Sequence, residues 1–360
     1  MKEFYSGTRI ISGTDAVSEL KNMGFSRLFL VTDPYFAENG VAQRIAQSAN
    51  ARAVEIFRDV KPDPSVALAA EGTARVKEFE PDGIVALGGG SAMDCAKAMA
   101  YFSGSKAKLV AIPTTSGSGS EVTDFAILTH GKVKHPLVDS RLRPDVAILD
   151  DNLLQKLPPS LIADAGFDVL AHSLEALVAK NAGAVTDALA KDAFTVVFGA
   201  LPASFAGRTD VRLKIHVGAT MAGMAFTQAG LGLCHALSHC LGGMFHVPHG
   251  RLNAILLPVV VSCNAHVAGG KYAALARAAG LGGSADLVAV RNLKNGLIRL
   301  RNELKLPGTL QQAGVDARQV WYGMDEIVKS TLADPCCETN PIPVEGFMVR
   351  QVLEEVMGRV

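Results

Sequence analysis

Over the first 150 residues, short apolar runs alternate with helix-patterned stretches, and the alternation stops at one place. Residues 27–32 (RLFLVT), 53–57, 84–87 and 109–112 are β-branched or apolar runs that end at polar or glycine turns. Between them lie stretches of helical texture at 35–48, 64–79 and 91–102. Strand–helix–strand units with short connections bury their apolar faces as a parallel sheet covered by helices on both sides. Residues 122–128 and 133–138, separated by THGK, read as a hairpin added to that sheet, and 146–149 closes the region. Segment 2–11 reads as an edge hairpin able to pair with a partner.

From Pro159 onward Ala, Leu, Gly and Met dominate, with apolar positions three and four apart, so this region is expected to be all-helical. The run LQKLPPS at 154–160 supplies a proline stop and a Ser160 cap. The expected domains are therefore 1–155 (α/β, parallel sheet with helices on both faces) and 156–360 (all-α). A chain of 360 residues can carry two cores. Lys plus Arg balances Asp plus Glu at 35 each, which argues against a nucleic-acid partner or an anionic membrane surface. Residues 254–261 form the most apolar stretch and are too few to span a bilayer. The start, MKEFYSGTRIISG, lacks the apolar run of a secretory leader. Six cysteines without a CxxC pair fit reduced thiols, so a cytoplasmic location is expected.

Two loops carry the chemistry of the first region. Leu87-Gly88-Gly89-Gly90-Ser91 follows a strand and opens a helix, where glycine permits close backbone approach and free N–H groups face a phosphate. It is not the GxGxxG fingerprint of the Rossmann fold. Pro113-Thr114-Thr115-Ser116-Gly117-Ser118-Gly119-Ser120 follows the next strand and is rich in hydroxyls. Two such loops at neighbouring strand ends point to a dinucleotide. Asp33, at the end of the first parallel strand, would accept a bond from a ribose hydroxyl and repel a 2′-phosphate, which favours NAD over NADP.

The second region holds GLCHALSHCLGGMFHVPHG at 232–250, with His235, His239, His246 and His249. The pattern predicts a helix up to a Gly242-Gly243 break, with His235 and His239 on one face and His249 in a following turn. Upstream, GFDVLAHSLEA (166–176) places Asp168 and His172 four apart. A single helical histidine is more often a hydrogen-bonded core residue. Two i, i+4 pairs plus a histidine from another element can surround an ion, and one carboxylate with three imidazoles suits Fe(II), Zn(II) or Mn(II).

These motifs, GGGSAMDCAKA (88–98), IPTTSGSGSEVT (112–123), GFDVLAHSLEA, GLGLCHALSHCLGGMFHVPHG (230–250), NAILLP (253–258) and Asp334…Asn340-Pro341, resemble those of the iron-containing (group III) alcohol dehydrogenases end to end. TQAG at 227–230 and His246, where many relatives carry Asn, place the resemblance nearest the propanol dehydrogenases of bacterial microcompartments. Ethanol dehydrogenases of similar compartments lie close by. The resemblance implies a dehydroquinate synthase-like fold, with Asp168, His172, His235 and His249 holding Fe(II), or Zn(II) as the alternative. It implies His239 beside the substrate, and NAD(H) held by Asp33, Gly89, Gly90, Ser91, Thr114, Thr115, Ser118, Phe125, Lys134 and Leu153. The implied reaction is reversible reduction of a short-chain aldehyde, propionaldehyde or acetaldehyde, to its primary alcohol. The implied state is a homodimer, associated with a microcompartment shell or its partner enzymes. The competing readings are a glycerol or diol dehydrogenase, a lyase of the dehydroquinate synthase type, and a non-catalytic assembly subunit. His246 adds an imidazole near the site, and Ile342 stands where an Arg is commoner.

Overall fold

A computed structural model describes residues 3–131 and 133–358. It divides into two compact units, one of which is Tyr5–Leu157 while the other takes the chain from Pro158 onward together with the residues before Tyr5. The first unit contains β1 (Arg9–Ser12), β2 (Arg27–Val31), α1 (Pro34–Glu38), α2 (Val41–Ser48), β3 (Ala53–Phe57), α3 (Val66–Phe79) and β4 (Gly83–Gly88). It continues with α4 (Gly90–Ser103), β5 (Lys108–Pro113), β6 (Phe125–His130), β7 (Val133–Val138) and β8 (Val146–Leu149).

Six strands form one sheet in the order β1-β8-β5-β4-β2-β3, and every pairing in it is parallel. Alternation along the strands feeds two cores. Leu28, Leu30, Val85, Leu87, Val110 and Ile112 point to one face, where Ala42, Ile45 and Ala46 of α2 cover them. Phe29, Val31, Ile84, Ala86, Leu109 and Ala111 point to the other, under Val76 of α3 and Ala92, Met93, Ala96 and Met99 of α4. A strand buried on both faces has no polar side to display, which is why β4 is apolar throughout. β6 and β7 pair antiparallel as a separate two-stranded ribbon, the expected hairpin.

Three local expectations for this unit are corrected. The helix expected over 35–48 is two helices, because Gly40 takes a left-handed φ of 78° between them. Segment 2–11 is not an edge hairpin: Arg9–Ser12 joins the sheet as a parallel strand beside β8, and Lys2 lies outside the described residues. Ser12 pairs with Leu149 and the following Gly13 N–H bonds the Leu149 carbonyl, so β8 supplies the partners a return strand would have offered. The third concerns the unit boundary, where Ser160 is not a cap. Pro158 is the N-cap and Pro159 the first helical residue, where its missing N–H costs nothing.

The second unit contains α5 (Pro159–Val178), α6 (Ala184–Phe205), α7 (Arg212–Ala229), α8 (Leu233–Phe245) and α9 (His249–Ala278). Beyond them come α10 (Asp286–Glu303), α11 (Ala317–Tyr322), α12 (Met324–Leu332), α13 (Cys336–Thr339) and α14 (Gly346–Val356). α5 lies at the centre, packed against α6, α7 and α9, and most of its length is buried all round. α7 and α8 meet at a bend of 103° through Gly230-Leu231-Gly232.

The helix carrying the histidines does not break at Gly242-Gly243. It runs on to Phe245, and His246, in the left-handed region at φ 56°, ends it with its N–H on the Gly242 carbonyl. A Cβ on Gly242 would make only ordinary contacts with Leu252 and the Val247 carbonyl, and one on Gly243 would meet open space, so neither glycine is required by packing. His249 is likewise not in a turn: it is the first residue of α9. The apolar run 254–261 lies inside this 30-residue helix, so the length of the run does not bound the length of the element. By length and composition α6 and α9 could each cross a membrane, yet Leu252–Val261 of α9 are buried within the helical unit. All six cysteines are free thiols.

Candidate functional site

Four side chains from three helices of the second unit converge on one oxygen. Asp168 Oδ1 lies 3.7 Å from His172 Nε2 on its own helix α5, 3.6 Å from His235 Nε2 on α8 and 3.4 Å from His249 Nε2 at the start of α9. The rings of His172 and His235 stack at 4.6 Å, and those of His235 and His249 are 5.3 Å apart. None of these separations is a hydrogen bond. Donors bound tetrahedrally at about 2.1 Å stand about 3.4 Å from one another, close to these separations from Asp168, and donor atoms of Asp168, His235 and His249 all lie within 4.8 Å of one another, with His172 at the side of that group. His235 Nε2 is buried and has no hydrogen-bond partner, an expensive state unless a cation completes it. The residues therefore fit a divalent metal.

The charges agree with that fit. Burial would raise the Asp168 carboxyl, but the His172, His249 and His235 imidazoles outweigh it and hold it below the usual carboxylate range. Burial opposes charge on His235, yet the carboxylates of Asp168 and Glu175 facing its two nitrogens outweigh it and push the ring up to about 9. A pocket that draws a proton onto a fully buried imidazole is short of positive charge. Burial, reinforced by the neighbouring imidazoles, drives His249 well below its ordinary value against the pull of Asp168, which favours the neutral form that binds metals.

Two residues behind this cluster escaped the sequence reading. Glu175 is almost fully buried and receives four bonds from α8: from the His235 ring at Nδ1 (2.6 Å) and from the backbone N–H groups of Gly232 (3.0 Å), Cys234 (2.7 Å) and His235 (3.3 Å). One carboxylate thus caps a helix that lacks its own side-chain cap and turns His235 so that Nε2 faces Asp168. Its signal was present: Glu175 follows His172 by three and Asp168 by seven, on the same face of α5. Asn253 of α9 donates to Asp168 Oδ1 at 2.8 Å and accepts from Ser238 Oγ at 2.6 Å, fixing the carboxylate from a third helix. Its membership in NAILLP was the only hint.

His239 stands apart from the cluster. Its Nδ1 is 2.9 Å from Asp334 Oδ2, and its ring stacks on His249 at 5.2 Å. Burial would raise Asp334, but the bond from the His239 imidazole, with that of the Cys336 N–H, outweighs it and lowers the carboxyl to about 2. His246 is exposed at the end of α8. Asn and His both tolerate the left-handed backbone better than most residues, so the helix end accounts for either at this position. Ile342 is buried, and its carbonyl accepts from the Asn340 amide.

In the sheet unit, Asp33, the glycine turn and the hydroxyl loop sit at the carboxyl ends of β2, β4 and β5, whereas Phe125 opens β6, Lys134 lies in β7 and Leu153 follows β8. The chain steps from β2 outward to β3, then back to β4 on the other side, so β2 and β4 flank a topological switch point, where α/β sheets bind their ligands. Asp33 follows β2 and caps α1 through Phe36 N–H at 3.0 Å. Gly88 has φ 148°, and a Cβ there would sit 3.7 Å from Asp33 Oδ2. Cβ atoms on Gly89 and Gly90 would come within 3.3 Å of Thr115 Oγ1 and 3.2 Å of Ser118. Thr114 N–H bonds the Gly88 carbonyl at 3.0 Å. Asp33, the glycine turn and the hydroxyl loop are therefore one assembly, with an uncapped helix N-terminus at Gly89-Gly90-Ser91 suited to a pyrophosphate. Phe125 and Leu153 are half-buried, and Leu153 packs on the core of this unit. Lys134 is exposed and pairs with Asp63 at 2.6 Å.

The assembly is held from below by residues that the sequence reading quoted but did not use. Lys97 of α4 is buried, and its ammonium donates to Ser120 Oγ (2.8 Å), Thr123 Oγ1 (2.8 Å) and the Phe125 carbonyl (2.9 Å). Ser120 Oγ donates in turn to Asp94 Oδ1 at 2.7 Å, and Asp94 Oδ2 accepts from Ile127 N–H at 3.1 Å. Burial lowers Lys97 to about 8 against the pull of Asp94 and raises Asp94 against the pull of Lys97.

A family model described as iron-containing alcohol dehydrogenase matches residues 7–151. The model for the C-terminal part of the Fe-containing alcohol dehydrogenase family matches residues 162–357. A 1-propanol dehydrogenase of Citrobacter freundii is 38% identical, over 99% of this chain and 100% of that protein. An NADPH-dependent butanol dehydrogenase of Clostridium saccharobutylicum is 33% identical, over 98% and 97%. Among solved structures, an iron-containing alcohol dehydrogenase from Thermococcus thioreducens superposes with a TM-score of 0.90 at 33% identity, covering 98% of this chain and 99% of that one. A sulfoacetaldehyde reductase from Bifidobacterium kashiwanohense in complex with NAD+ superposes with a TM-score of 0.89 at 26% identity, covering 99% and 98%.

Proposed function

The chain belongs to the iron-containing alcohol dehydrogenase family, enzymes that use iron and NAD(H), and from that premise we propose that it interconverts propionaldehyde or acetaldehyde with the primary alcohol. The observation that carries this reading is the convergence of His172, His235 and His249 on Asp168 Oδ1. These four would hold Fe(II), which when bound supplies a Lewis acid for the substrate oxygen, while NAD+ supplies a hydride acceptor. Glu175 and Asn253 orient the ligands, and His239 accepts or returns the hydroxyl proton. Asp33, the glycine turn, Thr114, Thr115 and Ser118 hold the dinucleotide, with Phe125, Lys134 and Leu153 as further contacts. The Asp33 carboxylate favours NAD+ over its 2′-phosphorylated form.

A short apolar alcohol is favoured over a polyol because buried Phe226 stacks on His172 at 4.3 Å, presenting hydrocarbon beside the ligands. The subfamily resemblance extends the reading to a cytoplasmic homodimer associated with a microcompartment, which sedimentation and co-purification with shell proteins would check. The decisive experiment measures NADH oxidation with acetaldehyde, propionaldehyde and a longer aldehyde, using protein reconstituted separately with Fe(II) and Zn(II). His249→Ala is expected to lose both bound metal and turnover, and retention of both overturns the ligand assignment.

A further inference from the structure

The two histidines that α8 presents four residues apart are each gripped at Nδ1 by a carboxylate, Glu175 on His235 and Asp334 on His239. The first grip serves a proposed ligand. We propose that the second is a tautomer lock: Asp334 positions His239 and keeps its proton on Nδ1, so that Nε2 is left as the base that takes the alcohol proton. This rests on the reading of His239 given above.

The lock follows from how Asp334 is itself held. Its Oδ1 accepts the backbone N–H of Cys336 at 2.9 Å, where the chain enters α13, so the carboxylate cannot rotate without losing that bond. Oδ2 is thereby turned to His239, at 2.9 Å. An ionised carboxylate only accepts, so the imidazole nitrogen facing it must be the donor. Imidazole free in water prefers the proton on Nε2, and the carboxylate reverses that preference. When the alcohol is oxidised, its carbon gives a hydride to the dinucleotide and its hydroxyl proton moves to Nε2. The resulting imidazolium carries one proton on each nitrogen, its charge is paired with Asp334, and the Nε2 proton then passes to water. In aldehyde reduction the same proton travels the opposite way.

The Cys336 contact makes the lock testable in an unusual direction. In Asp334→Asn the amide oxygen keeps the Cys336 N–H and the NH2 group takes the place of Oδ2. That NH2 donates to Nδ1 and forces the proton onto Nε2. The near-isosteric Asn is then worse than a truncation, which leaves the ring free to choose. Asp334→Asn is expected to lower kcat by about 10²- to 10⁴-fold, the range for a lost general base, with one metal per chain, an unchanged NADH Kd and little change in alcohol KM. Asp334→Ala is expected to lose less. Nitrogen-15 spectra of histidine-labelled, Zn(II)-loaded protein, with His239 identified by its disappearance in His239→Gln, should show the Nδ1–H tautomer in the native chain and the Nε2–H tautomer in Asp334→Asn. An Asn variant milder than the Ala variant, or an Nε2–H tautomer in the native chain, overturns the lock while His239→Ala remains crippled. Undiminished turnover in His239→Ala instead overturns the base assignment on which the lock depends.

Discussion

The two units build their sites by opposite routes. In the sheet unit one topological rule does the gathering: parallel strands bring Asp33, Gly88–Gly90 and the hydroxyl loop to the same edge, and a buried lysine ties the loops together. In the helical unit no such rule exists. Asp168, His235 and His249 lie on three helices that cross, and their meeting depends on single contacts such as the Glu175 cap, the Asn253 amide and the backbone approach at Gly250. A site at strand ends should tolerate local damage gradually, whereas one at a helix crossing should fail with the contact that sets the crossing.

The largest expected effect tests the lysine. Lys97→Met strips Ser120 Oγ, Thr123 Oγ1 and the Phe125 carbonyl of their shared donor and removes the charge that faces buried Asp94 through Ser120, at about 1–3 kcal/mol for each buried acceptor left unpaired. Denaturant melts should show that loss, with weakened NADH binding and unchanged metal content. A melt like the parent's would mean that the loops do not depend on the lysine. Gly250→Ala comes next. Its Cβ would lie 1.9 Å from the Asp164 carbonyl oxygen, a backbone atom that no rotamer change can move. Separating α9 from α5 there should cost at least about 1–3 kcal/mol and carry His249 off Asp168, which metal analysis of the purified variant would detect. The matching change in the sheet unit, Gly90→Ala, meets only the Ser118 side chain at 3.2 Å. It should weaken NADH and leave the fold intact, and equal damage from both substitutions would erase the contrast.

Glu175→Gln keeps the size of the cap and removes its charge. Metal affinity should fall about 10- to 100-fold in a competition titration, the usual cost of losing a partner behind a ligand. NADH binding should not change. The smallest effect is acid sensitivity. Asp334 titrates near 2 in the fold against an ordinary 3.8. Because the folded value is the lower one, its contribution is complete above about pH 4 and is lost as pH falls toward 2, about 2 kcal/mol in all. Asp334→Asn should be less stable at neutral pH and show a correspondingly flatter acid limb, read from melts at stepped pH.

How much was legible follows the same division. The strand runs, the glycine turn and the hydroxyl loop were readable because in a parallel sheet the ends of neighbouring strands are neighbours in space. Asp168 with His172 and His235 with His239 were readable as helix-face pairs. Less visible was what lay between helices. Gly242-Gly243 looked like a break, yet each glycine only lowers helix preference by about 1 kcal/mol, which a helix packed along its length tolerates. Glu175 looked like an ordinary helical glutamate, since nothing local announces that its four donors come from a helix about sixty residues later.

Sequence by itself determined the two architectures, the glycine and hydroxyl turns and the chemical types of the clustered side chains, because periodicity, turn chemistry and donor identity are properties of short segments. Tertiary structure decided how those donors are used. It set the crossing of α5, α8 and α9 that brings His172, His235 and His249 around one oxygen, chose Glu175 and Asp334 as the groups that orient two histidines on one helix, and gave His246 a helix end to form. A hydrogen bond between residues sixty or ninety-five positions apart leaves no periodic trace in the chain, and those bonds give different carboxylate partners to two histidines one helical turn apart.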